Sequence, residues 1–484
     1  MSVNSTERTA HVTAEGVSDV DIASEDVAVT DSVDGHDEHV PSHDRAKRER
    51  RQFITHNAVA AAGTWGAGIA GLLLQALVSH HFSPRLYGEV FAVFSFFTVL
   101  TQPAAGFSRM VAWTTSRELA TKHGTDVESS ALLRMTIRRL TLIGTALGLV
   151  FIVGGGLLAN YLSVPFSFVI VGAVGVPFMF ATSPMLASLQ GEQRWVPWSA
   201  LSIGIALSRV VFVIIFAFWL GPQGVMLGIS VAAAVLYFIA LAMVWPRMRR
   251  GKGGVTGWKP LWKFLLVSVT STITVSVLLG SDVVLVQHFY PGKSAGQFSA
   301  ATVTARALFF AMGSVTSVLF PKVATRHARQ RGTKSVVFTS VGIALVGGLV
   351  GLIGFSLLST GILHEFSGKS YEGAAGYIGW YALGMPLLAA VVMLSNTQQS
   401  LADLNLLWVL IPGTLIKPVL IYMFHSSLFV VSLMSDVAIA AVLVALAVQY
   451  LITERQQRLL AASSDTIPGD DSGPGQGLMA NAPA

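Results

Sequence analysis

Four basic residues stand inside long apolar stretches of this sequence: Arg109, Arg209, Arg306 and Lys417. Arg209 and Lys417 each lie about thirteen residues from one end of their stretch, and Arg306 about ten residues in. At roughly 1.5 Å per helical residue this places all three near the middle of a bilayer. Arg109 lies closer to one mouth. A central Arg or Lys costs at least ~2.5–3.5 kcal/mol on insertion scales. Cations kept at that cost suit a cationic, water-filled cavity that accepts an anionic substrate. The alternative is internal pairing, for which three carboxylates qualify: Asp282, Asp403 and Asp436. Asp282 with Arg306 is the expected pair. Asp282 is also a candidate for binding a coupling proton or Na⁺. Lys417 is followed by Pro418, which removes one helical hydrogen bond at that level.

Other chemistry is excluded by residue type and context. The sequence has no cysteine, so disulfides, iron–sulfur clusters and cysteine-bound zinc are absent. WGAGIAG (Trp65 to Gly71) contains a GxGxxG pattern, but no strand precedes it, and small residues there suit close helix packing. No GxxxxGK[ST] sequence occurs. HDEHVPSH (His36 to His43) and the NST at Asn4 fall in a polar tail, where neither a structural metal site nor glycosylation is expected. No paired carboxylates or Ser/His/Asp set stand on an exposed loop, and the expected external loops are no longer than about fourteen residues. The sequence therefore reads as a non-enzyme that needs no cofactor.

The elements that position these cations follow from composition. Only 12% of the 484 residues are charged and mean hydropathy is +0.62. A soluble chain carries roughly 25% charge, so this is an all-α polytopic membrane protein. Twelve apolar runs of spanning length cover about 56–80, 88–113, 140–162, 165–189, 196–220, 223–245, 262–288, 295–320, 335–359, 373–397, 403–424 and 427–452. They divide the chain into a disordered tail (1–51), a six-helix N lobe (52–246), a basic linker (247–261), a six-helix C lobe (262–453) and a second disordered tail (454–484). The 1–51 tail holds twelve acidic residues against six basic ones, and its run DRAKRERRQ (Asp44 to Gln52) abuts the first span.

The 32 Lys and Arg residues orient the bundle. With twelve spans, 25 of them fall on the side of the two tails, and only Arg85, Lys293 and Lys369 fall opposite. The positive-inside rule then makes both tails cytoplasmic in a multi-pass cytoplasmic-membrane protein. The same distribution removes nucleic acid as a partner, because the basic residues sit in separate short loops that meet anionic lipid. RMRRGKGG (Arg247 to Gly254) and PKVATRHARQRGTK (Pro321 to Lys334) are two of them.

The halves resemble each other at an offset of about 208–209 residues. Tyr87-Gly88 matches Ala295-Gly296, Gly175-Val-Pro177 matches Gly384-Met-Pro386, Gln190 matches Gln398 or Gln399, and Arg209 matches Lys417. Two lobes repeated in parallel orientation make a transporter with its pathway between them.

Three segments resemble the polysaccharide-export flippases (Wzx-like) of the multidrug/oligosaccharidyl-lipid/polysaccharide exporter superfamily. They are SPRLYGEVFAVFSFFTVLTQPAAGFSRMVAWTTSRELA (Ser83 to Ala120), GSDVVLVQHFYPGKSAGQFSAATVTARALFFAMGSVTSVLFPKVA (Gly280 to Ala324) and LASLQGEQRW (Leu186 to Trp195). The family pattern of an Asp in helix 7, a Gly-x-Tyr/Phe step and a Phe-Pro end matches Asp282, Gly296-Gln-Phe298 and Phe320-Pro321. The resemblance implies a V-shaped, two-lobed bundle working by alternating access. It implies a polyprenyl-diphosphate-linked oligosaccharide as cargo, with membrane lipids and polysaccharide assembly machinery as partners. Arg209, Arg306, Lys417 and Arg109 would hold the diphosphate, and helices 1, 2, 7 and 8 would line a portal for the lipid tail. Two alternatives are a cation-coupled multidrug-type exporter and a lipid II flippase, whose branch usually has two more helices than are read here.

Overall fold

The computed structural model describes residues 42–120, 127–250, 258–328, 334–399 and 404–464. The acidic residues 1–41 with Asn4, residues 465–484 and Asp403 lie outside this range. The chain is all α: among the described residues there is no strand. Hydrocarbon offers no hydrogen-bond partners, so each spanning backbone must satisfy itself, and a helix does this within one segment.

Six helices form the N lobe: α1 (Ser42–His81), α2 (Pro84–Ala120), α3 (Val127–Leu162), α4 (Phe166–Gly191), α5 (Trp195–Leu220) and α6 (Pro222–Arg250). The C lobe contains α7 (Trp258–Phe289), α8 (Lys293–Ala328), α9 (Lys334–Leu357), the short α10 (Ser359–Ser367), α11 (Ala375–Gln399), α12 (Leu407–Met423) and α13 (Leu428–Ser464). Among the described residues, ten helices are long and apolar enough to cross a membrane. The bent pair α9–α10, with an 82° break, makes an eleventh. The 36-residue α8 lies between α7 and α9 in the chain order and is not among these spans.

The helices outrun the apolar segments. α1 begins at Ser42, so part of the segment read as disordered tail, including the run from Asp44, continues the first span as helix. α3 begins at Val127, which places Arg134, Arg138 and Arg139 on its first turns rather than in a loop. Arg134 there donates to Met248 O on α6. Once a span has nucleated, each added residue gains a hydrogen bond at little further cost, so polar flanks are drawn into the helix.

Packing repeats between the lobes. In the N lobe α1 packs on α5, α2 and α6 on α4, α3 on α4, and α5 on α6. In the C lobe α7 packs on α12, α8 and α13 on α11, α9 on α11, and α12 on α13. Each of these pairs has its counterpart in the other lobe, as the parallel repeat requires. The lobes meet along α2, which lies against both α7 and α8. The apolar core follows this seam: Val283, Ala300 and Val303 of the C lobe pack into the cluster built on Phe91, Val93 and Phe97.

The matched glycines of the repeat touch each other. A Cβ on Gly88 would lie 2.7 Å from the backbone nitrogen of Gly296, and a Cβ on Gly296 would overlap the carbonyl of Pro84. Only two residues without side chains let the starts of α2 and α8 approach this closely.

Candidate functional site

Lys417 on α12 is completely buried and forms an ion pair with the equally buried Asp282 on α7, Nζ to Oδ2 2.8 Å. Its ammonium also donates to Leu278 O at 2.6 Å. The Tyr381 hydroxyl on α11 donates to the same Asp282 oxygen at 2.6 Å, and the Val283 amide donates to Oδ1 at 2.9 Å. This corrects the expected pairing of Asp282 with Arg306. The reason is helical phase: Leu278 and Asp282 are four residues apart and share the face of α7 that packs on α12. Lys417 is thus held inside the C lobe by Asp282 and Leu278 O.

Arg306 on α8 reaches the neighbouring carbonyl instead, Nη2 to Leu279 O 2.6 Å. One residue further along α7, that carbonyl is rotated by about 100° toward α8. The Arg306 guanidinium carbon stands 5.7 Å over the ring of Phe91 on α2, so this side chain lies at the seam between the lobes. Its Nε is buried without a hydrogen-bond partner.

Arg209 on α5 is the repeat counterpart of Lys417, yet its surroundings differ. Counting 208 residues back from Asp282 gives Leu74, so the N lobe has no carboxylate at the matching place. Leu74 is buried in the apolar core, and Arg209 Nε is likewise buried without a partner. Arg209 shares no hydrogen-bond partner with the other three cations.

Arg109 on α2 crosses the seam and donates through Nη1 to Asn396 Oδ1 at 3.1 Å and Gln399 Oε1 at 2.5 Å, both on α11. Ser268 Oγ donates to Gly106 O nearby, 3.2 Å, and Trp113 stacks on Phe264, 5.6 Å between centroids. Toward the starts of α2 and α8 the seam is also closed. Tyr371 donates to Phe82 O at 3.0 Å and meets Tyr87 edge-on at 5.7 Å. Tyr87 in turn donates to Gln75 Oε1, 3.2 Å. A void of about 20 Å³, lined by residues including Leu74, Gln75, Tyr87 and Phe91, remains between them. That is roughly the room one water needs.

Three features escaped sequence reasoning. The Tyr381 contact to Asp282 had no local signal. The polar pairing of Arg109 was foreshadowed only by the glutamines ending the repeat. The third is a clasp on Arg247. Its Nη1 pairs with Glu192 and donates to Ser188 Oγ (3.1 Å), and its Nη2 donates to Ser129 Oγ (2.6 Å), tying α3, α4 and α6 together. Ser188 and Glu192 belong to the LASLQGEQRW segment, so that motif is in part the acceptor half of this clasp.

No protein-family model matches the sequence, and neither does any curated protein. Solved structures do match. The lipid II flippase MurJ in an inward closed conformation superposes with a TM-score of 0.65 at 14% identity, over 82% of this chain and 89% of that one. An inward-facing multidrug resistance MATE family transporter of the MOP superfamily gives 0.60 at 14% identity, over 86% and 96%. An outward-facing form of such a transporter gives 0.58 at 14% identity, over 85% and 96%. The chain is a multi-pass membrane protein that shares the fold of these transporters. The likeness extends to multidrug exporters and to a lipid II flippase alike.

Proposed function

We propose that the protein is a flippase that moves a polyprenyl-diphosphate-linked oligosaccharide across the cytoplasmic membrane by alternating access, with both termini cytoplasmic. The observation that carries this reading is that Arg209 and Arg306 each keep a buried, unpartnered guanidinium nitrogen. A guanidinium is always charged and offers forked donors that match phosphate oxygens. A buried donor of this kind is costly until an acceptor reaches it. An anionic headgroup entering the seam would meet Arg306 first, with Arg109 at one mouth. Lys417 would join the site only if opening released it from Asp282. Carrying the headgroup through a polar path avoids its desolvation in hydrocarbon. Rocking of one six-helix lobe on the other about the α2–α7–α8 seam would supply the motion.

A multidrug-type exporter calls for a carboxylate at the seam facing its cationic substrates; Asp282 is engaged by Lys417, Asp436 faces Gly384 within the C lobe, and the seam instead carries Arg306 and Arg109. A lipid II carrier has the same diphosphate chemistry and is separated by the sugar that accumulates. The test is deletion followed by lipid extraction. A polyprenyl-diphosphate sugar should build up on the cytoplasmic leaflet, and the reading fails if none does. Arg306→Ala should abolish export at normal protein level; full export by that variant removes Arg306 from the pathway.

A further inference from the structure

The parallel repeat breaks at the end of the C lobe away from the two termini. In the N lobe α3 runs unbroken to Leu162. Its counterpart α9 stops at Leu357, and the chain turns through 82° into α10. α10 and the 3₁₀ turn that follows it (Lys369–Ala374) are tied down at this end of the bundle. Ser79 Oγ of α1 donates to Phe366 O at 3.5 Å, Gln297 Nε2 of α8 donates to Ser370 O at 3.0 Å, and Tyr371 reaches Phe82 O.

Because α9 stops short, the last turns of a straight helix are missing beside α8. A groove of about 430 Å³ takes their place, between Thr304 and Ala307 of α8, Phe355 of α9 and Ile362 and Phe366 of α10. No N-lobe residue lines it. It runs from Phe366, held at the level of Ser79 near the end of α1, down to Thr304. Thr304 is eleven residues along α8 from Lys293, or roughly 16 Å at 1.5 Å per residue. That is about half of the ~30 Å hydrocarbon core, one leaflet. The Thr304 hydroxyl is satisfied by Ala300 O at 2.8 Å, so this wall presents hydrocarbon. One carboxylate stands on the rim, the exposed Glu365. His364 beside it pairs with Glu372 at 3.0 Å, and Glu365 has no ion-pair partner among the described residues.

We infer that this groove holds one acyl chain of a phospholipid from that leaflet, and that Glu365 selects a headgroup ending in a primary ammonium, as in phosphatidylethanolamine. An open groove at this depth faces lipid tails rather than water. Left empty, it forfeits dispersion contacts along both walls, and a flexible tail restores them where a helix is missing. The groove is some twenty times the void of about 20 Å³ beside Tyr87, so it takes a chain rather than a water. At the rim a primary ammonium offers three N–H donors to the Glu365 carboxylate, a charge-assisted contact. A choline headgroup carries the same charge and no N–H. An anionic headgroup would be repelled. Arg306, two residues beyond Thr304, faces Phe91 and the seam instead, so the tail of a cargo held there is not the occupant. The groove belongs to the C lobe alone and does not depend on the identity of the cargo. A chain lodged in it braces α10, and with it the contacts of Phe366 and Tyr371 to α1 and the start of α2.

The test exploits the absence of cysteine to place a single fluorescent label. Leu358→Cys puts it on the groove wall, where the side chain is 63% exposed. Leu349→Cys puts it on α9 outside the groove, at a side chain 54% exposed. Each purified full-length protein is reconstituted in phosphatidylcholine vesicles, and chain-brominated phosphatidylethanolamine or phosphatidylcholine replaces equal fractions of the host lipid. At position 358 the brominated ethanolamine lipid should quench with an apparent affinity about two- to fivefold higher than the choline lipid, the range of an exposed ion pair. At position 349 the two lipids should quench alike. Adding Glu365→Gln should make them equal at position 358 as well. Adding Gly361→Phe should weaken quenching there by either lipid, because a Cβ at Gly361 meets open space and the ring fills the groove without a clash. The inference is overturned if position 358 shows no preference for the ethanolamine lipid, if the preference survives Glu365→Gln, or if Gly361→Phe leaves quenching unchanged.

Discussion

The Lys417–Asp282 pair is the most deeply buried charge pair described in the protein, and its removal has a calculable consequence. Lys417→Met keeps the stem and deletes the ammonium. Asp282 would then keep two donors, the Tyr381 hydroxyl and the Val283 amide, with its charge uncompensated. Breaking one side of such a pair costs about 3–5 kcal/mol, or roughly a 10²–10⁴-fold change in the folding equilibrium. Asp282→Leu strands the ammonium on Leu278 O alone and costs a similar amount. The double variant removes both charges together with both desolvation penalties. Its main residual cost is the Tyr381 hydroxyl left without an acceptor, about 1–3 kcal/mol. The double variant should therefore be more stable than either single one, with a coupling of at least about 3 kcal/mol. Equilibrium unfolding of the four proteins in mixed micelles measures this directly. If the two single effects simply add, the pair does not exist as described.

Two further outcomes follow from the packing. Arg247→Ala should destabilise the N lobe by about 3–5 kcal/mol through the loss of Glu192 and its serine partners, and Arg247→Lys should not restore it, because one ammonium cannot span α3 and α4 as a fork does; thermal unfolding of both variants tests this. Gly296→Val should force the starts of α2 and α8 apart, since even a methyl overlaps Pro84 O. Because the chain has no cysteine, a cysteine pair placed at Pro84 and Lys293 can report the change, cross-linking readily in the parent and poorly in the variant.

Much of the architecture was legible because a bilayer allows few solutions. Runs of about 20 apolar residues must be helices, and the glycine and proline matches disclosed the repeat that the packing displays. The cations were legible as anomalies, but their partners were not. The expected pair is Asp282 with Arg306, whereas the partner comes from α12, some 135 residues away. Asp436 reads from the sequence only as a potential counter-ion, because nothing local shows that it faces Gly384 across the α11–α13 contact. The helical starts at Ser42 and Val127 were missed because hydropathy marks the bilayer rather than the end of the hydrogen-bonded backbone.

By itself, then, the sequence determined an all-α, two-lobed membrane bundle and the short set of charges that must be explained within it. These follow from the cost of exposing polar groups to hydrocarbon, which depends on composition and spacing. Only the tertiary structure decided that Lys417 belongs to Asp282, that Arg306 stands at the seam, that Arg109 bridges to α11, and that Asp436 faces Gly384 at the α11–α13 contact. Those outcomes turn on helical phase and on which helices become neighbours, and differences of one residue along α7 redirect a carbonyl from one cation to another.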